Sequence, residues 1–127
     1  MFCRLIARRA SSTLSVANGI ATISLENPPV NLLSRDVLRT LKHSFDTLPD
    51  RTDVEGVILT SGKNGIFTGG LDIFELYGRS DEQLREYWTM LQNMWISIYT
   101  CPLPGMVYPT SLFPIVLQGF PSNSRYV

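Results

Sequence analysis

The chain has 127 residues, no formal net charge at neutral pH, and 44% hydrophobic against 17% charged residues. That length holds one domain with a modest core, and the composition is that of a folded chain rather than a disordered tail. Neutrality leaves no basic patch for nucleic acid or an anionic membrane, and no apolar run reaches the ~18 residues of a membrane-spanning helix.

The first fifteen residues stand apart from the rest. Arg4, Arg8 and Arg9 are followed by Ser11, Ser12 and Thr13, with no acidic residue among them. Arg-rich, Ser-rich and acid-poor is the composition of a mitochondrial transit peptide. Residues 1–11 are therefore expected to be a targeting segment, the alternative being a frayed, untargeted N-terminus.

Thr13–Ala17 and Ile20–Leu25 are short β-prone runs joined by Asn18-Gly19, the strongest short hairpin signal. Asn27-Pro28-Pro29 ends the second run, because proline offers no ladder donor. Ser34 reads as a helix N-cap, and behind it Val37, Leu38, Leu41, Phe45 and Leu48 recur at helical spacing up to Pro49. Gly56–Thr60 is a short continuous apolar run, as expected of a strand covered on both faces. A glycine-rich loop, Ser61 to Gly70, follows it, and Leu71–Tyr77 reads as a short helix closed by Gly78. Ser80 and Gln83 form a capping box. The helix beyond it carries Leu84, Tyr87, Trp88, Leu91, Trp95 and Ile98 on one broad apolar face and stops at Cys101-Pro102-Leu103-Pro104. The order β-β-α-β-loop-α-α predicts an α/β fold with crossover connections. After Pro104 no regular period remains, and Pro109 and Pro114 interrupt the apolar stretch there.

Chemistry-bearing residues are few. Cys3 and Cys101 have no Cys or His at metal-ligand spacing and read as ordinary thiols of a reducing compartment; no metal site is expected. His43 lies between Lys42 and Ser44 on the polar side of the first helix, where a solvated histidine is the simpler reading. Asp72 and Glu75 fit a helix first turn, where acidic residues serve the dipole. Trp88 and Trp95 read as core or interface. The loop from Ser61 to Ile73 is the informative segment, because it leaves a strand and enters a helix start. Backbone N–H groups there can face an anion or a developing oxyanion, and Gly69-Gly70 lets a ligand approach the main chain. It has neither the P-loop frame nor the G-x-G-x-x-G dinucleotide fingerprint.

Three segments in order resemble the crotonase superfamily, and within it the mitochondrial enoyl-CoA delta isomerases. Glu26-Asn27-Pro28-Pro29-Val30-Asn31-Leu32-Leu33-Ser34 is similar to that family's first strand-to-helix turn, where acyl-CoA is gripped. Gly56–Ser61 with Phe67-Thr68-Gly69-Gly70-Leu71-Asp72-Ile73 is similar to its strand and oxyanion loop, and Gly78-Arg79-Ser80 with Tyr87-Trp88 resembles the isomerase branch. The resemblance covers residues 12–104 and implies the N-terminal part of a ββα-spiral fold. It further implies a mitochondrial matrix enzyme, a homotrimer, an acyl-CoA substrate, and no cofactor apart from the coenzyme A of that substrate. By the same resemblance the Leu71 backbone N–H donates to the thioester oxygen, and Val30, Asn31, Gly69, Gly70, Leu71, Asp72 and Ile73 contact acyl-CoA.

The implied reaction moves a double bond from C3 to C2 of a fatty acyl-CoA through a thioester enolate. Two aligned N–H donors are central to it, and losing one typically costs about 2.7–4 kcal/mol. The family continues with an Asn-Gly strand end, a Gly-Gly turn supplying the second donor, and a glutamate base. Residues 105–127 match none of this and are expected to be a tail foreign to the family, leaving the chain without appreciable isomerase activity. The alternatives are a non-catalytic subunit that holds CoA or joins other subunits, and part of an enoyl-CoA hydratase.

Overall fold

The structure is a computed structural model that describes residues 11–107. Residues 1–10 of the expected targeting segment, Cys3 among them, and the tail from Tyr108 onward lie outside the described residues.

Six elements follow one another: strands β1 (Ser12–Ala17) and β2 (Ile20–Leu25), helix α1 (Arg35–Thr47), strand β3 (Gly56–Ser61), helix α2 (Asp81–Thr100) and strand β4 (Gly105–Val107). They form one sheet in the order β1-β2-β3-β4. The β1–β2 hairpin is antiparallel, from Ser12 opposite Leu25 to Ala17 opposite Ile20. Asn18 and Gly19 both have positive φ, 50° and 78°, the backbone of a tight hairpin turn whose twist suits its flanking strands. β2 and β3 are parallel, as are β3 and β4. Parallel neighbours need a crossover, and α1 and α2 supply one each. β4 lies just past Pro104, where the sequence pattern lapses.

Side-chain alternation positions the core. Ala21, Ile23 and Leu25 of β2 and Val57 and Leu59 of β3 are buried on one sheet face, against Val37, Leu38, Leu41 and Phe45 of α1 and Tyr87, Leu91, Met94 and Ile98 of α2. The apolar run of β3 suggested cover on both faces. Instead Ile58 and Thr60 are only half-buried, because among the described residues both helices pack on the same side.

Local signals were obeyed at the helix starts. Ser34 accepts from Val37 N–H, and Ser80 and Gln83 complete a reciprocal capping box. α1 gives way at Pro49 to a single 3-10 turn, Leu48–Asp50. Two expectations need correction. The helix placed at Leu71–Tyr77 reduces to one 3-10 turn, Ile73–Glu75, because Leu71 pairs in a parallel bridge with Leu33 and leaves only one turn for Asp72 to cap. On α2 the buried face runs through Tyr87, Leu91, Met94, Ser97 and Ile98, whereas Trp88 and Trp95 stand on its exposed side. The indoles drew the predicted face round by a residue, and Met94 and Ser97 occupy the inward positions.

Candidate functional site

The loops following β2 and β3 leave the carboxyl ends of adjacent parallel strands, the end at which open α/β sheets bind ligands. Their chemistry is almost wholly main chain, so the first question is where each N–H and C=O goes.

Asn31 is the hub. It has φ 54°, a left-handed backbone that asparagine tolerates better than most residues, and it is 1% exposed. Its side-chain oxygen accepts from Asn27 N–H at 2.9 Å, and its amide nitrogen donates to Ser61 Oγ at 2.8 Å and to the Phe67 carbonyl at 3.1 Å. Asn31 N–H donates to the Asn27 carbonyl at 2.7 Å. One side chain thus closes its own turn and ties it to the end of β3. Ser61 continues the tie, its hydroxyl meeting the Ile66 carbonyl at 2.6 Å and accepting from Lys63 N–H at 3.0 Å.

The two loops then run side by side. Thr68 Oγ1 donates to the Asn31 carbonyl at 2.6 Å and accepts from Gly70 N–H at 3.0 Å. Gly69 N–H donates to the Val30 carbonyl at 2.7 Å, and Leu33 N–H to the Gly70 carbonyl at 2.8 Å. Gly69 must be glycine for space: a Cβ there would lie 3.0 Å from Val30 Cγ2 and 3.2 Å from the Val30 carbonyl. Gly70 must be glycine for conformation, with φ 91° and open space around it.

This pairing engages most, but not all, of the N–H groups of the second loop. Gly69, Gly70 and Asp72 N–H groups are engaged, the last with the Tyr87 hydroxyl at 3.4 Å. Leu71 N–H and Ile73 N–H have no acceptor among the described residues. The Gly70 carbonyl points at Leu33, and a trans peptide sets its N–H opposite its C=O, so the Leu71 N–H points away from the first loop.

The carboxylates that follow Leu71 are committed elsewhere. Asp72 caps the 3-10 turn through Phe74 N–H at 3.0 Å. Glu75 pairs with Arg35 at 2.8 Å, and Glu86 meets the same guanidinium at 2.8 Å. Those two partners, Glu75 first, hold the Arg35 pKa above its ordinary value. Burial pushes the Tyr87 phenol up, and burial likewise raises the Cys101 thiol, which therefore keeps its proton rather than serving as a nucleophile. His43 is exposed. Among the described residues no cluster of His, Cys, Asp and Glu could hold a metal ion, and no helix is long and apolar enough to cross a membrane.

Of the residues singled out from the sequence, Val30, Asn31, Gly69, Gly70, Leu71 and Asp72 come together in the two paired loops. Ile73 begins the 3-10 turn with its side chain 63% exposed. Sequence reading missed the roles of Thr68 and Ser61, whose hydroxyls clasp the loops, and of the Tyr87 hydroxyl, Tyr87 having been read as part of an apolar face and of the resemblance to the isomerase branch. A Thr immediately before Gly-Gly was the one local hint. A groove of about 570 Å³ adjoins the hub, lined by Thr13, Leu25, Glu26, Pro28, Asn31, Gly62 and Lys63.

Comparison with known proteins agrees with this architecture. The enoyl-CoA hydratase/isomerase family profile matches residues 15–107. The mitochondrial enoyl-CoA delta isomerase 1 of Mus musculus is 44% identical over 82 residues, covering 65% of this chain and 28% of that protein. The glyoxysomal fatty acid beta-oxidation multifunctional protein MFP-a of Brassica napus is 46% identical over 66 residues, covering 51% of this chain and 9% of that protein. The crystal structure of human mitochondrial delta3-delta2-enoyl-CoA isomerase superposes with a TM-score of 0.77 at 33% identity, covering 80% of this chain and 40% of that one. The chain thus spans well under half the length of each of these relatives. A fold with these crossovers, a glycine loop paired to the preceding turn, and a family match across most of its length place the chain in the enoyl-CoA hydratase/isomerase family.

Proposed function

We propose that the paired loops form the thioester-gripping part of an enoyl-CoA isomerase site, with Leu71 N–H as one oxyanion donor. The observation that carries this is the Leu71 N–H itself, unengaged among the described residues and fixed in direction by the Gly70–Leu33 bond. In the reaction, a base removes a proton from C2 of a 3-enoyl thioester. The electron pair moves onto the carbonyl oxygen, and the resulting dienolate is reprotonated at C4, leaving the double bond at C2. Charge grows on the oxygen, where a preorganised N–H is most effective. Val30, Asn31, Gly69, Gly70, Asp72 and Ile73 shape the approach to that donor, and the coenzyme A moiety belongs to the substrate, so no separate cofactor is required.

The carboxylates near the loop, Asp72 and Glu75, are tied to Phe74 N–H and Arg35. Neither serves as the base on this reading, and the 127-residue polypeptide by itself binds an acyl-CoA thioester without turning it over. The names of the mammalian relatives favour a mitochondrial setting in the β-oxidation of unsaturated fatty acids, and assembly as a trimer belongs to the same proposal.

The test uses a saturated acyl-CoA with a 13C-labelled thioester carbonyl. On binding, isotope-edited infrared spectroscopy should find the carbonyl band moved to lower frequency. Replacing Leu71 by its α-hydroxy acid removes that one N–H and should abolish the movement. A band unchanged on binding, or equally moved without the Leu71 N–H, would overturn the assignment. Formation of conjugated 2-enoyl-CoA by the polypeptide would overturn the absence of turnover, whereas binding without turnover separates this reading from an intact enzyme.

A further inference from the structure

The Leu33–Leu71 bridge is a parallel pairing that a side chain from a distant helix joins. Leu33 N–H donates to the Gly70 carbonyl at 2.8 Å. The reciprocal bond of a parallel ladder would run from Asp72 N–H to the Leu33 carbonyl. The Tyr87 hydroxyl engages both of these groups, donating to the Leu33 carbonyl at 2.5 Å and accepting from Asp72 N–H at 3.4 Å. Tyr87 comes from α2, has 0% exposure, and is among the largest fully buried side chains. Its ring is fixed by the core, so its hydroxyl is a fixed reference point rather than a rotating surface group.

The Leu71 N–H lies in the upstream peptide plane, and the downstream plane anchors the other side of the same residue. The upstream plane is set by Leu33 N–H on the Gly70 carbonyl. The downstream plane carries Asp72 N–H, and Tyr87 holds it. From this geometry we infer that Tyr87 is a positioning residue for the Leu71 N–H, its hydroxyl bridging the Leu33 carbonyl and Asp72 N–H and so fixing the downstream plane. This rests on the thioester-site reading above and deepens it. The hydroxyl touches neither substrate nor reacting atoms, and it works through the backbone. A phenylalanine would fill the same core volume but leave the Leu33 carbonyl and Asp72 N–H without their shared partner, loosening the backbone on the downstream side of Leu71. Burial raises the phenol's pKa, so the group stays protonated and able to donate.

The experiment compares the 127-residue chain with its Tyr87→Phe variant by 15N–1H NMR, amide exchange and the labelled-thioester measurement. The expected result is a changed Leu71 resonance and faster exchange at Asp72, with the β2 and β3 amides unaltered. With acyl-CoA, the carbonyl band should move back toward its free position, and affinity should fall about tenfold, the scale of one hydrogen bond. Unchanged Leu71 and Asp72 amides, or a uniform loss of protection across the sheet, would overturn the inference, the latter marking a merely structural tyrosine. If Tyr87→Phe fails to fold, 3-fluorotyrosine at position 87 keeps the volume and strengthens the donor; shifts confined to Leu71 and Asp72 support the inference, and their absence overturns it. If the unmodified chain leaves the carbonyl band unmoved, the thioester-site reading fails, while the amide comparison still decides the role of Tyr87.

Discussion

At the scale of single residues, Asn31 carries more of the loop architecture than any glycine in it. It is buried, its backbone is left-handed, and both ends of its amide are used. Alanine would remove an acceptor from Asn27 N–H and a donor from Ser61 and the Phe67 carbonyl, and would keep the unfavourable φ without compensation. Asn31→Ala should therefore lower stability by about 2–4 kcal/mol, combining unmet buried hydrogen bonds with αL strain. Urea unfolding checks this, and a loss under about 0.5 kcal/mol, the range of an ordinary surface change, would mean the hub is dispensable. Asn31→Gly separates the two causes, since it relieves φ but restores no hydrogen bond.

At the scale of elements, Arg35 at the start of α1 connects three segments. Its Nε meets Glu75 in the 3-10 turn at 2.8 Å, and its other nitrogens meet Glu86 at 2.8 Å and the Gln83 carbonyl at 3.1 Å, both on α2. The Arg35 and Glu75 side chains are 22% and 17% exposed, but Glu86 is 63% exposed, so the two pairs differ in worth. Arg35→Gln is expected to cost about 1–2 kcal/mol, and Glu86→Gln within about 0.5 kcal/mol, because exposed pairs are screened by water and salt. Thermal melts at low and high salt check the pair, and equal losses from both variants would refute the ranking. This tie also explains what was legible beforehand. Caps at Ser34 and Ser80, the Asn18-Gly19 turn and the spacing along α1 are contained within a few residues, so the sequence displays them. The Leu33–Leu71 bridge, the Thr68–Asn31 clasp and the Tyr87–Leu33 bond join residues far apart in sequence, and nothing near any one of them announces its partner. The loop motif was readable by family resemblance; the hydroxyls that hold it were not, because a tyrosine on an apolar helix face looks like core.

At the scale of the whole molecule, the packing among the described residues is one-sided. Both helices cover the same face of a four-stranded sheet, and several large apolar side chains remain outward. Trp88, Trp95 and Tyr99 recur on one side of α2, 44%, 36% and 58% exposed, with Ile96 at 57% nearby. Trp88 is anchored by an edge contact with the Tyr87 ring at 6.4 Å, and Trp95 shares a small apolar pocket with Leu33, Phe67 and Met94. Ile96 and Tyr99 have no comparable role in the core. Large exposed apolar side chains gathered on one helix favour association in water. The chain is therefore expected to self-associate with rising concentration, and Ile96→Lys with Tyr99→Lys to suppress this while changing stability by no more than about 0.5 kcal/mol per site. Light scattering across a concentration series reads the association, and urea unfolding reads the stability. Association unchanged by both lysines would place its cause elsewhere, such as the outer edge of β4. A large stability loss would instead mean that these side chains pack against residues beyond the described region, so the two measurements together tell a sticky surface from a concealed interface.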